Sequence, residues 1–268
     1  MGRPKRPVRA LVLTSIRDVG VCDLNGCTVP TACGPRYMEG IIERSVKESR
    51  PGGALDGLLE IAGIVTDDLP KNLEGSTYPL VPTTGKQWVH PCDLEDRHGN
   101  CVAKLTTHIP SEFRRIPNRD ADVKREAKRA FEMQVLEHMK AVGADIIVSD
   151  HYMAKIEYLI GEFGLYGRVL NVHPAVTDKR HECCFRGPTP TADAIAKAKT
   201  GAHTQTGATL HLINEEFDDG LVIESVWPTP VFPTDTPQEL RWRNYQMAKL
   251  PVFTRGMQYY VTEMFGHL

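Results

Sequence analysis

The chain has 268 residues, 41% hydrophobic and 25% charged, with 32 basic residues against 34 acidic ones and a formal net charge of −2. A balance so close to neutral carries no electrostatic footprint for nucleic acid. No apolar run reaches the roughly 18 residues of a membrane span. The composition is that of a cytoplasmic globular protein with a full core, of a length for one large domain.

The basic stretch Gly2 to Pro7 lacks a following apolar region and reads as a solvated tail, not a signal peptide. The seven cysteines are odd in number and lack the tight framework of a secreted miniprotein, so free thiols are expected. Cys22, Cys27 and Cys33, with His90, Cys92 and Cys101, could be drawn as a zinc site. Their spacings do not match the CxxC knuckle, and no metal is expected.

Val8 to Thr14 is a continuous apolar run and predicts the first strand of a parallel sheet. Residues 15–35 carry single glycines, neither GxGxxG nor a Walker pattern, and read as a long irregular loop. Met38, Ile41, Ile42 and Val46 at helical spacing predict a helix over Tyr37 to Ser49, stopped by Pro51-Gly52-Gly53. Leu58 to Thr66 is the next strand, in βαβ order with a right-handed crossover.

Residues 69–118 are rich in Pro, Gly, Thr and His and read as an insertion. Within it Lys86 to His90 and Cys101 to His108 could pair as a hairpin around Asp96 to Asn100. A long helix follows, capped by Asp120 or Asp122 and running to about Val142. Its expected buried stripe is Ala127, Ala130, Phe131, Val135 and Met139, with Gly143 at its C-terminal end.

Ala144 to Ser149 predicts a strand that delivers Asp150-His151-Tyr152-Met153, followed by a helix around Ile156 to Glu162. The run Arg168-Val169-Leu170-Asn171-Val172-His173-Pro174 then stops at an amide, an imidazole and a proline. Asn171 and His173 stand on alternate positions of a strand, so their side chains share one face. An amide able to donate to an oxyanion, beside an imidazole able to move a proton, suits chemistry at a carbonyl carbon. Hydrogen-bonded structural groups at a strand end are the plainer reading of these two residues alone. Open α/β sheets bind ligands outside the carboxyl ends of their strands, which would place Tyr152, Met153, Asn171 and His173 on one rim.

A loop over 174–190 leads to a helix from Thr191 to about Lys199. The strand Gly207 to Asn214 alternates Thr209, His211 and Ile213 against Ala208, Leu210 and Leu212, with His211 read as a satisfied structural histidine. Glu215 to Gly220 is an acidic turn into the strand Leu221 to Trp227. Thr236 to Phe265 is helical in pattern and expected to break at Pro251.

With these motifs in order, the chain from about Asp145 to Leu250 resembles the folate-dependent formyltransferase superfamily. Its members include glycinamide ribonucleotide transformylase, methionyl-tRNA formyltransferase, sugar N-formyltransferases and formyltetrahydrofolate deformylase. The resemblance rests on Ala144 to Val148, Asn171-Val172-His173-Pro174, Phe185-Arg186-Gly187-Pro188-Thr189-Pro190, and Gly207 to His211 through Phe217-Asp218-Asp219-Gly220-Leu221-Val222-Ile223. It implies an α/β fold, a three-layer Rossmann-like formyltransferase architecture with a mostly parallel sheet. The expected layout is one formyltransferase domain over 1–268 with insertions at about 15–35 and 69–118.

The resemblance further implies a catalytic trio, Asn171, His173 and Asp218, with Asp219 as the competing aspartate, and 10-formyltetrahydrofolate as formyl donor. Asn171 would donate to the oxyanion, His173 would relay the proton, and Asp218 would orient the imidazole. Tyr152, Met153, Glu216, Phe217 and Asp219 become folate-binding candidates. Ala154 and Lys155 depart from the pattern, standing where relatives often carry an arginine and an aliphatic residue.

Loop 15–35 lacks the Gly-rich phosphate pattern of the glycinamide ribonucleotide branch. The Arg-Gly-x-x-Pro stretch looks more like the methionyl-tRNA and sugar branches, yet the chain is expected to end without room for a tRNA-binding domain. A small amine is therefore the expected acceptor: an aminosugar, an amino acid or a biosynthetic intermediate. The alternatives are a hydrolase (deformylase) of the same donor, a formimidoyl or other one-carbon transferase, and a non-catalytic binding protein that keeps the fold. A homodimer is left open.

Overall fold

In the computed structural model, which describes residues 6–15, 29–31, 34–36, 40–67, 94–152, 154–187, 189–201 and 205–267, the strands are β1 (Val8–Ser15), β2 (Val29–Thr31), β3 (Gly34–Arg36), β4 (Leu59–Asp67), β5 (Thr106–His108), β6 (Ile146–Ser149), β7 (Val169–His173), β8 (Gln205–Leu212) and β9 (Val222–Pro230). The helices are α1 (Ile41–Glu48), α2 (Ala121–Ala141), α3 (Tyr158–Gly161), α4 (Pro190–Lys199), α5 (Pro237–Asn244) and α6 (Leu250–Tyr259). Seven strands form one sheet in the order β5-β4-β1-β6-β7-β8-β9, while β2 and β3 pair separately. The sheet is parallel from β5 to β7, and β8 and β9 return antiparallel. Chain order reverses between β1 and β6, and in open α/β sheets ligands bind outside the carboxyl ends of the strands at such a point.

Helices cover both faces because the inner strands are apolar on both. Val8, Ala10 and Val12 pack with α1 and α6 residues such as Ile41, Ile42, Val252 and Phe253. Leu11 and Leu13 face the other way, onto Phe131, Val135 and Met139 of α2 and onto Leu159 and Ile160 of α3. A third, smaller cluster joins Cys183 and Phe185 to α4 and α5 through Ala194, Ile195, Ala198 and Leu240. Burying Phe131, Val135, Leu136 and Met139 contributes roughly 1.5–3 kcal/mol each. An exposed pair such as Arg125 with Asp122 adds about 0.5 kcal/mol, so packing, not surface charge, sets α2 in place.

Several expectations change. Ala130 is exposed, whereas Glu132 and Leu136 are buried. The helical period puts residue 130 on the far side from a stripe centred on Val135 and Met139. Glu132 enters the core because its carboxylate accepts the backbone N–H groups of Glu157 and Leu159, the latter at 2.9 Å, at the start of α3. The helix expected over 156–162 is the short α3. Residues 106–108 pair in parallel with β4, Glu95 and Cys101 form an antiparallel bridge, and residues 86–90, the other arm of the expected hairpin, lie outside the described residues. The turn at 96–100 is present, closed by Asp96 N–H to the Asn100 carbonyl at 2.9 Å.

The C-terminal helix does not break at Pro251. A wide turn at Tyr245–Lys249, with the Leu250 N–H bonded to the Tyr245 carbonyl, precedes it. Proline removes one N–H and crowds the carbonyl four residues back, and a widened register relieves both. Most of the 15–35 loop, the start of the helix expected from Tyr37 and the cysteine and histidine residues Cys22, Cys27, Cys33, His90 and Cys92 lie outside the described residues. Among the described residues, no helix is long and apolar enough to cross a membrane.

α6 approaches the sheet closely at Gly256, where an added Cβ would lie 2.6 Å from Leu210 Cδ2 and 3.0 Å from Glu224 Cβ. Gly256→Val is expected to wedge the helix from β8 and β9 and lower stability by about 1–3 kcal/mol, read as a lower urea midpoint with little change in slope.

Candidate active site

β7 places the first two side chains. Leu170 and Val172 pack on the α6 side and Val169 on the α2 side, so by alternation Asn171 and His173 point from the α2 side of the sheet. The antiparallel return of β8 sets His211 directly opposite Asn171, and Thr209 opposite His173. The turn between β8 and β9 then carries Asp218 over them. Its Oδ1 lies 3.3 Å from His173 Nδ1, 3.4 Å from Asn171 Nδ2 and 3.6 Å from His211 Nε2. Its Oδ2 accepts the Gly187 N–H at 2.8 Å.

Two carbonyls assign the histidine protons. His173 Nε2 is 2.7 Å from the Phe185 carbonyl, which can only accept, so Nε2 carries a proton and Nδ1 is left to face Asp218. His211 is the mirror case: Nδ1 donates to the Leu212 carbonyl at 2.9 Å, and Nε2 is left to accept from Asn171 Nδ2 at 3.2 Å. An amide oxygen at the Nδ2 position would face two acceptors, which fixes the orientation of the Asn171 side chain. His173 and His211 are buried, at 5% and 2% exposure.

Burial by itself would raise the Asp218 carboxyl. Hydrogen bonding and charge from His173 when its Nδ1 carries a proton, together with the Gly187 N–H, outweigh it and hold the group well below the ordinary carboxylate range. Asp218 has φ +51°, a left-handed conformation that costs a non-glycine residue about 1 kcal/mol or more and that aspartate tolerates better than most. Two residues on, a Cβ at Gly220 would meet the Leu212 carbonyl oxygen at 1.7 Å. Only glycine lets the turn press this close to β8, and the Leu212 N–H closes it onto the Leu221 carbonyl at 2.9 Å.

This geometry stands inside a stretch that matches the formyl transferase family profile over residues 96–251, more than half of the chain. The chain belongs to the formyl transferase family. It is 27% identical over 128 residues to phosphoribosylglycinamide formyltransferase of Haemophilus influenzae, covering 45% of this chain and 54% of that protein. The match thus spans about half the length of that relative. A solved structure of PvdF of pyoverdin biosynthesis, an N10-formyltetrahydrofolate-dependent formyltransferase, superposes with a TM-score of 0.74 at 27% identity, covering 94% of this chain and 98% of that one. Phosphoribosylglycinamide formyltransferase from Anaplasma phagocytophilum shares the fold, with a TM-score of 0.56 at 15% identity over 96% of this chain and 88% of that one.

Within this formyl transferase fold, the residues expected from sequence separate into two groups. Asn171, His173 and Asp218 come together. Tyr152 stacks on Phe131, with ring centroids 6.1 Å apart, and lies under the Arg114 guanidinium at 5.2 Å. Phe217 is exposed, with Lys155 Nζ 5.9 Å from its ring centroid. The Glu216 N–H donates to Asn214 Oδ1 at 3.0 Å. Asp219 is engaged by Arg186 and by Lys179. Met153 lies outside the described residues. His211 is the member that sequence reading set aside: it is satisfied by a carbonyl, as expected, but its second nitrogen holds Asn171. Its alternation with Thr209 and Ile213 was visible, whereas its partner strand was not. Among the described residues, no cluster of three metal-ligating side chains is present.

A carboxyl depressed in the folded state stabilises the protein above its unfolded value of about 4 and loses that effect as pH falls through the folded value. Asp218→Asn is therefore expected to lower stability by about 1.5–3 kcal/mol at pH 7. The gap to the parent protein should narrow as pH drops below about 4, which urea midpoints across that range would show.

Proposed function

We propose that this protein is an N-formyltransferase that moves a formyl group from 10-formyltetrahydrofolate to the amino group of a small molecule, with residues 1–268 acting as one formyltransferase domain. The observation that carries this is the convergence of His173 Nδ1 and Asn171 Nδ2 on one ionised oxygen of Asp218 within a chain of the formyl transferase family. The donor supplies an activated formyl group, and the residues around it supply charge and proton handling.

The acceptor amine attacks the formyl carbon. Asn171 Nδ2 has one N–H committed to His211 and a second that meets Asp218 Oδ1 only at 3.4 Å. That second N–H is the donor for the oxyanion of the tetrahedral intermediate, an interaction whose loss typically costs about 10²–10³ in rate. His173, its Nε2 proton held by Phe185, takes the amine proton on Nδ1 and passes it to the departing folate nitrogen. Asp218 stabilises the imidazolium in between without itself being protonated. Glu216, Phe217 and Tyr152, on the two loops beside this rim, remain candidates for folate contact. The likeness to an enzyme of pyoverdin biosynthesis favours a small biosynthetic amine as acceptor.

The test is incubation with 10-formyltetrahydrofolate and a panel of aminosugars, amino acids and small biosynthetic amines, followed by mass spectrometry for an added formyl group and by absorbance for released tetrahydrofolate. Asn171→Ala, His173→Ala and Asp218→Asn are each expected to slow transfer by about 10²-fold or more. Formate released at the same rate with and without amine would identify a hydrolase instead, and no folate turnover with any acceptor or water would remove the proposal.

A further inference from the structure

Three consecutive residues of the loop between β7 and α4 touch the site in three ways. The Phe185 carbonyl accepts the His173 Nε2 proton at 2.7 Å, and the Gly187 N–H donates to Asp218 Oδ2 at 2.8 Å. Arg186, between them, contacts neither side chain. Its Nε and Nη2 donate to the Thr177 carbonyl at 2.7 and 2.5 Å, and its Nη1 donates to Asp219. Lys179 adds a second cation to Asp219 at 3.2 Å, from a side chain that is 69% exposed.

We propose that Arg186 is a positioning residue for His173 and Asp218: by tying the Thr177 carbonyl to the Asp219 carboxylate it locks the loop to the acidic turn, so that Phe185 and Gly187 meet their partners in register. Phe185 and Cys183 are anchored by packing against α4, which fixes the loop. Asp218, in its left-handed conformation, belongs to a separate turn between β8 and β9. A planar guanidinium with donors in a rigid fork can span the two segments and hold a fixed angle. The flexible Lys179 ammonium supplies charge without that geometry. This gives the arginine of the Arg-Gly-x-x-Pro stretch a task that does not involve touching the substrate.

The inference rests on the formyl-transfer reading for its kinetic readout, and a second readout is independent of it. In nitrogen-15 correlation spectra, His173, assigned by the signal lost in His173→Gln, is expected as a single tautomer with its proton on Nε2. Arg186→Met should give a mixture of tautomers. It should lower kcat by roughly 10–100-fold while KM for the folate changes less than about threefold. Asp219→Asn should act in the same direction. Arg186→Lys should fall between, since it keeps the charge and loses the fork. If Arg186→Met fails to fold by circular dichroism, the other two variants carry the test. An unchanged His173 tautomer and unchanged kcat in any folded Arg186→Met or Asp219→Asn protein would overturn the inference. A parent protein that turns over no folate would count against formyl transfer alone, with the tautomer spectra still deciding the role of Arg186.

Discussion

A carboxylate buried as deeply as that of Asp218 stays ionised only where donors meet its lone pairs, and the end of β7 is built around that requirement. The Gly187 N–H occupies one oxygen, while the amide of Asn171, and the imidazole of His173 once its Nδ1 is protonated, meet the other. Those partners come from two pieces of chain, β7 and the loop that carries Gly187, so the carboxylate also fixes where those pieces sit. The left-handed backbone at Asp218 is tolerable because the turn is held on both sides, by the close approach of Gly220 to β8 and by the loop that carries Gly187.

The two histidines show one device used twice. In each, a backbone carbonyl takes the proton of one ring nitrogen and so decides what the other can do. Leu212 makes His211 an acceptor, which aims the amide of Asn171. Phe185 leaves Nδ1 of His173 as the nitrogen that faces Asp218, the one to which the proposed reaction gives the proton transfer. Both arrangements depend on main chain held by packing.

The layers supply that packing. α1 and α6 cover one face of the sheet, α2 and α3 the other. The small cluster under α4 and α5 holds the loop that reaches the site. The buried Glu132 pins the start of α3 and so steadies the segment between β6 and β7 that begins at the same rim.

Much of this was legible in the chain. Apolar runs marked β1, β4, β6 and β7, because strands covered on both faces must be apolar throughout, whereas the edge strand β5 carries no such run; the alternation of Asn171 with His173 put them on one face without knowledge of any partner. The acidic turn with its glycine, and the Arg-Gly stretch, marked the remaining parts through their resemblance to a family. Sequence could not show that β8 returns antiparallel in the register that sets His211 against Asn171, because side-chain pairing across strands depends on strand order and not on local pattern. The same holds for Phe185 and Arg186. Their roles come from a carbonyl and a fork of donors meeting residues 9, 12 and 33 positions away, and backbone carbonyls carry no signature in a sequence. The donors and acceptors available at the site were thus determined by residue types, and which ring nitrogen faces Asp218 was decided by the tertiary structure.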